Sequence, residues 1–155
     1  MKIKSNIKHR VVTLRLFFVL LSFLGNYVCQ AQSYLNIDNI GQVAFNIIHN
    51  LNTISSKQFV DYFSSGTNVC KQITGEELPT SYIQENYSDL QGKAKKYHIS
   101  WNKVKYHSFK YYPPVEEDGI LGYKGRLYLR YDEKVFNVVV TFIQYEGRFY
   151  LLSIS

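Results

Sequence analysis

The chain has 155 residues, with 18 Lys and Arg against 12 Asp and Glu, and its only cysteines are Cys29 and Cys70. This length favours a single domain, and two cysteines exclude a scaffold held together by several disulfides. A net charge of +6 would suit a nucleic-acid-binding protein, but that charge is unevenly distributed along the chain.

Residues 1–31 have the pattern of a bacterial signal peptide. Five basic residues and no acid occur among the first fifteen, and the apolar run Leu16–Leu21 follows. Small residues up to Ala31 predict cleavage before Gln32. The apolar run is shorter than the roughly 20 residues of a membrane span, and the residues before Cys29 do not form a lipobox. We therefore expect an exported protein, periplasmic or secreted, with no transmembrane segment after cleavage.

Removal of the leader changes how the charge is interpreted. Without its five basic residues, 13 of the 18 Lys and Arg residues remain against 12 Asp and Glu, so the net charge falls from +6 to +1. A nearly neutral exported domain, residues 32–155, is not expected to bind nucleic acid. Cys70 would be its one cysteine, which predicts a buried, unreactive thiol.

Apolar residues at three- and four-residue steps predict helices in the first half of this domain. The first helix is predicted over 38–52. Ser55 and Gln58 have capping-box spacing and begin a second, short helix that Gly66 would end. A short strand is predicted over 69–73.

A third helix is predicted to begin near Ser81. Ser81 and Gln84 repeat the capping spacing, and Gly92 weakens the helix without ending it. The predicted buried stripe consists of Ile83, Tyr87, Leu90, Ala94 and Tyr97.

After Ile99 the apolar pattern changes to alternation, which predicts strands. Four are predicted: Val104–Tyr112, Ile120–Tyr131, Lys134–Tyr145 and Arg148–Ile154. Short turn sequences between the last three predict an antiparallel meander. The predicted fold class is therefore α+β, with N-terminal helices packed on a C-terminal antiparallel sheet of about four strands.

This order of elements, with the ending Gly147-Arg148-Phe149-Tyr150-Leu151, resembles the nuclear transport factor 2-like, or cystatin-like, α+β superfamily over most of residues 35–155. The resemblance implies a cone-like fold in which a curved sheet wraps around the helices. In that superfamily the cone holds a ligand pocket, an enzyme site or neither, so the fold does not imply a function.

A small isomerase- or hydratase-like enzyme is the catalytic alternative that the resemblance implies. Tyr123 or Tyr131 would donate a hydrogen bond inside the cone, and an acid such as Asp61 would act as the base. However, the apolar strand faces carry no acid, and the histidines lack metal-ligand spacing. No catalytic residue, metal or cofactor is therefore predicted.

One basic segment stands out, because residues 93–110 contain six lysines and no acid, interleaved with aromatic residues. Alternation places three basic side chains on one face of each of two neighbouring strands, and if these two faces coincide, the outer side of the sheet is basic and aromatic. They are Lys103, Lys105 and His107 on the first strand and Lys124, Arg126 and Arg130 on the second. Such a face would bind an anionic glycan or an acidic protein. Cations that merely keep a sheet from pairing with other sheets are the structural alternative.

We expect a non-catalytic domain that binds a partner protein or a small ligand, with the enzyme and the binder of anionic partners as alternatives. The candidate ligand-binding residues are Trp101, Lys103, Lys105, Tyr123, Lys124, Arg126 and Tyr131.

Overall fold

The structure, a computed structural model, describes residues 35–117 and 120–155. The predicted signal peptide, residues 1–31, lies outside the described residues. The described part belongs to one compact unit that extends over residues 34–155. In it, four α-helices precede an antiparallel sheet of five strands, so the α+β prediction is confirmed.

The helices, numbered in chain order, are α1 (Ile40–His49), α2 (Ser56–Asp61), α3 (Ser64–Thr74) and α4 (Thr80–Tyr97). The strands are β1 (Lys105–Tyr111), β2 (Val115–Glu117), β3 (Ile120–Tyr131), β4 (Lys134–Tyr145) and β5 (Arg148–Ile154). A 3-10 turn at Trp101–Lys103 precedes β1. The strand order is β1-β3-β4-β5, and β2 pairs with β3 beyond the end of β1.

The first two helices form within the predicted segments but are shorter, since α1 ends at His49 rather than at residue 52 and α2 ends at Asp61 before Gly66. On α1 the predicted apolar stripe is buried. The Ser55 hydroxyl accepts a hydrogen bond from the Gln58 backbone N–H at 3.3 Å, and the Gln58 side chain accepts one from the Ser55 N–H at 2.8 Å. This capping box satisfies two backbone donors that a helix start leaves free. It fixes the start of α2, which carries the buried Phe59.

The prediction that Gly66 ends a helix and that residues 69–73 form a strand is wrong. Both lie within α3, which instead ends at Gly75 in the left-handed conformation, with φ of 75°. The β-branched residues of this segment favour a strand only weakly. Gly66 permits close packing of α3 on β5, because a Cβ there would overlap the carbonyl oxygen of Leu151.

The third predicted helix, α4, begins at Thr80, and its first turn has no side-chain cap. The capping box predicted at Ser81 and Gln84 is therefore wrong. Gly92 lies within α4, as predicted. The predicted stripe is buried at Ile83, Leu90 and Ala94 and partly buried at Tyr87. Its last member, Tyr97, is 60% exposed.

The sheet follows the predicted strands closely. β3, β4 and β5 have the predicted bounds, β1 is shorter by one residue at each end, and β2 is a strand that the sequence did not predict. The predicted meander is confirmed by the pairing of β3 with β4 and of β4 with β5. One face of the sheet packs on the helices and forms the core. Its fully buried strand residues include Leu127, Leu129, Val140, Phe142, Leu151 and Ile154.

Candidate functional site

The inner face of the sheet is filled by side chains. Trp101 is 1% exposed, and its ring centroid lies 6.2 Å from that of Phe136. Tyr123 is 8% exposed, and its ring stacks on Phe142 with centroids 4.9 Å apart. The Tyr123 hydroxyl donates a hydrogen bond to the Gln144 side chain at 3.1 Å. Trp101 is therefore a core residue rather than a surface ligand contact, and the Tyr123 ring contributes to packing.

The residues of the enzyme alternative are not joined in the structure. Asp61 is exposed at the end of α2, and no hydrogen bond connects it to Tyr123 or to the partly buried Tyr131. Within residues 35–117 and 120–155, no group of three or more His, Cys, Asp or Glu side chains is placed to hold a metal ion.

Five cations form a strip on the outer face of the sheet, the face turned away from the helices. The strip consists of Lys105 and Lys110 on β1 and Lys124, Arg126 and Arg130 on β3. Lys105 lies directly opposite Arg130, and Lys110 lies directly opposite Arg126. Directly opposite residues share a face, with Cβ atoms about 5 Å apart. The basic strip therefore contains two cross-strand pairs of like charge.

Acidic side chains lie near the ends of the basic strip, Glu116 and Glu117 on β2 and Asp132 and Glu133 in the turn after β3, but none is paired with it. The strands β1, β3, β4 and β5 contain no Asp or Glu at all. In the described part of the chain, the only ion pair joins Lys71 to Glu77 at 2.7 Å, far from the strip in sequence. Hence no acid of the described residues forms an ion pair with a cation of the strip, although the domain as a whole is nearly neutral.

Protection against edge pairing explains only half of this arrangement. Lysines on an exposed edge strand prevent it from pairing with another chain, which accounts for Lys105 and Lys110 on β1. Arg126 and Arg130 lie on β3, which has β1 on one side and β4 on the other. Like charges directly opposite each other destabilise a sheet. The two arginines therefore cost stability in the free protein without protecting an edge.

Aromatic rings accompany the strip. The guanidinium carbon of Arg126 lies 5.9 Å from the ring centroid of Tyr112. Tyr128, halfway between Arg126 and Arg130 along β3, is partly buried opposite Ser108. A guanidinium held over a ring is stabilised without using its N–H donors. Arg126 is thus positioned with its N–H groups free to bind an anion.

The structure places Lys105, Lys124 and Arg126 together on the outer face, as the alternation predicts. The prediction that Lys103 shares a strand face with Lys105 is wrong, because Lys103 ends the 3-10 turn before β1. The strand register shifts between Tyr106 and Ser108, at His107. This shift interrupts the alternation on which the placement of His107 depended.

Sequence reasoning missed Lys110, the partner of Arg126. Lys105 and Lys110 are five residues apart, which would place them on opposite faces of a regular strand. A bulge inserts one extra residue and restores them to the same face. The register shift after Tyr106 has this effect. No local signal in the sequence marks the bulge.

None of the described helices is both long and apolar enough to span a membrane. No protein-family model, curated protein or solved structure matches the chain. The function must therefore be inferred from the residues of the chain itself, and the basic strip is a feature of its described surface that packing does not explain.

Proposed function

We propose that this chain is an exported, non-catalytic binding domain that recognises an extended polyanion through the basic strip. The two like-charge pairs, Lys105 with Arg130 and Lys110 with Arg126, carry the proposal. Their mutual repulsion costs stability in the free protein. An anion bound between the two cations of a pair would attract both of them and so offset their mutual repulsion.

The length of the strip favours a polymer with repeated charges over a small ion. A strand rises about 3.4 Å per residue, so Lys124 and Arg130 are separated by roughly 20 Å along β3. A single carboxylate or sulfate would engage one end only. An anionic glycan or an acidic protein segment would engage all five cations.

Export is supported by the leader pattern of residues 1–31, and the near-neutral net charge that remains after its removal disfavours nucleic acid as the polyanion. The order of helices followed by an antiparallel sheet is also the order in the nuclear transport factor 2-like superfamily. We propose that this chain belongs to that superfamily as well. The face used here is the outer one, not the interior of a cone.

The test measures binding to fluorescently labelled dextran sulfate and to poly-glutamate by fluorescence anisotropy, with protein purified after expression of the full-length sequence. The strip variant is the double substitution Lys105→Glu with Arg130→Glu. It replaces one like-charge pair by another, so folding stability should change little. Binding should weaken about 30-fold, because two attractive exposed contacts become repulsive.

A matched control carries Lys57→Glu with Lys93→Glu, which changes the net charge equally at exposed helix positions. The control should retain most of the binding. Affinity should also fall as salt is raised, since the Debye length is about 8 Å at 0.15 M. Equal losses in the two variants, or no loss in the strip variant, would refute the proposal. The polymer that binds more tightly identifies the partner as glycan-like (dextran sulfate) or protein-like (poly-glutamate).

A further inference from the structure

A groove crosses the outer face of the sheet at one end of the basic strip. Its volume is about 420 Å³, within the range of small-molecule sites. Its lining includes Tyr112, Pro113, Val115, Gly122, Lys124 and Ile143.

The groove exists because two features of the sheet leave space. β1 pairs with β3 as far as Gly125, and β2 pairs with β3 from Gly122 to Ile120. Pro113 and Pro114 lie in the segment that connects β1 to β2. Proline has no N–H to donate to a ladder. Gly122 also has no side chain, and a Cβ there would meet only the Val115 carbonyl oxygen, at 3.5 Å.

The lining is largely apolar, although most of it lies on the outer face; Tyr123 and Phe142, whose rings belong to the core, also line the groove. Val115 is 72% exposed, the highest fraction among the large hydrophobic residues of the described chain. Ile143 lies on the outer face opposite Gly122 and is only 4% exposed. A ligand with an apolar body would cover Val115, and burial of this exposed apolar surface is favourable; it would lie over Ile143, which is already buried in the free protein.

The charge of the groove is cationic at one end. Among the described residues, Lys124 is the only charged side chain in the lining. Arg126 follows two residues along β3 on the same face, with its guanidinium over the Tyr112 ring. We propose that the groove binds a small amphipathic anion, a carboxylate with an apolar chain. Lys124 and Arg126 hold the carboxylate, and the chain lies against Tyr112, Val115 and Ile143.

This inference rests on the proposed function, because both require the outer face to prefer anions. It also requires that the groove bind an apolar chain. The probe is decanoate below its micelle concentration, with the neutral decanol as reference, titrated by calorimetry into protein expressed from the full-length sequence. Decanoate should bind with one-to-one stoichiometry. Affinity should rise from hexanoate to decanoate by up to about fourfold for each methylene buried.

Three variants test the groove. Gly122→Val fills it with a residue that suits a strand, and should weaken decanoate binding at least about tenfold through loss of methylene burial. Val115→Ser removes an exposed apolar contact and cannot disturb the core. Lys124→Gln should weaken decanoate about tenfold, the effect of losing one hydrogen bond to a charged group, and leave decanol unchanged. Lys57→Gln is the matched control.

The strip variant separates the two proposals, because Arg130 lies roughly 20 Å from Lys124. The variant Lys105→Glu with Arg130→Glu should bind dextran sulfate more weakly and bind decanoate unchanged. The variant Gly122→Val should bind decanoate more weakly and bind dextran sulfate unchanged. A protein that binds decanoate but neither polymer would refute the polyanion function alone. Absence of saturable decanoate binding, or unchanged binding by Gly122→Val and Lys124→Gln, would overturn the groove assignment.

Discussion

Replacing Gly66 with alanine should lower the free energy of unfolding, although the same change raises it at most other helix positions. Alanine is favoured over glycine inside a helix by about 1 kcal/mol, because glycine loses more backbone entropy on folding. At Gly66 the new Cβ would overlap the carbonyl oxygen of Leu151 and lie 2.9 Å from Cδ2 of Leu152. The leucine side chain can rotate away. The carbonyl belongs to β5 and cannot move without disturbing its pairing with β4.

The expected magnitude follows from these two opposing effects. Overpacking a well-packed site typically costs 1–3 kcal/mol, and an overlap with backbone places Gly66→Ala near the upper end of about 3 kcal/mol. After the helix gain of about 1 kcal/mol, the net loss is about 2 kcal/mol. Gly92 is the matched control, since it lies inside α4 with no atom within 4 Å of an added Cβ. Gly92→Ala should therefore gain about 1 kcal/mol.

The assay is equilibrium unfolding in urea followed by the fluorescence of Trp101, the one tryptophan of the chain. Trp101 is buried in the native protein, so unfolding exposes it to water and shifts its emission. Gly66→Ala should have a lower midpoint than the unchanged protein and Gly92→Ala a higher one. If Gly66→Ala were as stable as the unchanged protein or more stable, the close packing of α3 on β5 would be refuted.

Three further predictions concern the cap, the strip and the thiol. Ser55→Ala should lower the free energy of unfolding by about 1 kcal/mol in thermal denaturation, because the Gln58 N–H loses its acceptor; an unchanged midpoint would contradict the capping box. Lys110→Gln should raise it by about 0.5 kcal/mol by removing the like charge opposite Arg126, and this gain should shrink in high salt; a loss of stability would count against repulsion in the strip. Cys70 is half-buried rather than buried as the sequence predicts, and this partial burial raises the pKa of its thiol, so less thiolate is present at pH 8 and iodoacetamide should react more slowly than with free cysteine. Equally fast alkylation of the native protein would show that this thiol is open to solvent.

Features that depend on neighbouring residues were predictable from the sequence. The boundaries of β3 and β4 follow from alternation over twelve residues and from the turns that flank them. The start of α2 follows from Ser55 and Gln58, three residues apart. These signals are local, because side-chain direction along a strand and hydrogen bonding at a helix start depend on residues close in the chain.

Only the tertiary structure decided the features that depend on distant contacts. From the sequence alone, Gly66 predicts the end of a helix. In the structure it lies inside α3, where its missing side chain permits contact with β5. The β-branched residues that follow it are helical because α3 packs on β5. The pairing of Lys110 with Arg126 depends on the bulge after Tyr106, and one inserted residue reverses which face every later side chain occupies. The sequence by itself determined that basic and aromatic residues are concentrated in and just before the first strands of the sheet. The register between β1 and β3 determined that they form one strip, because cross-strand neighbours are set by pairing and not by distance along the chain.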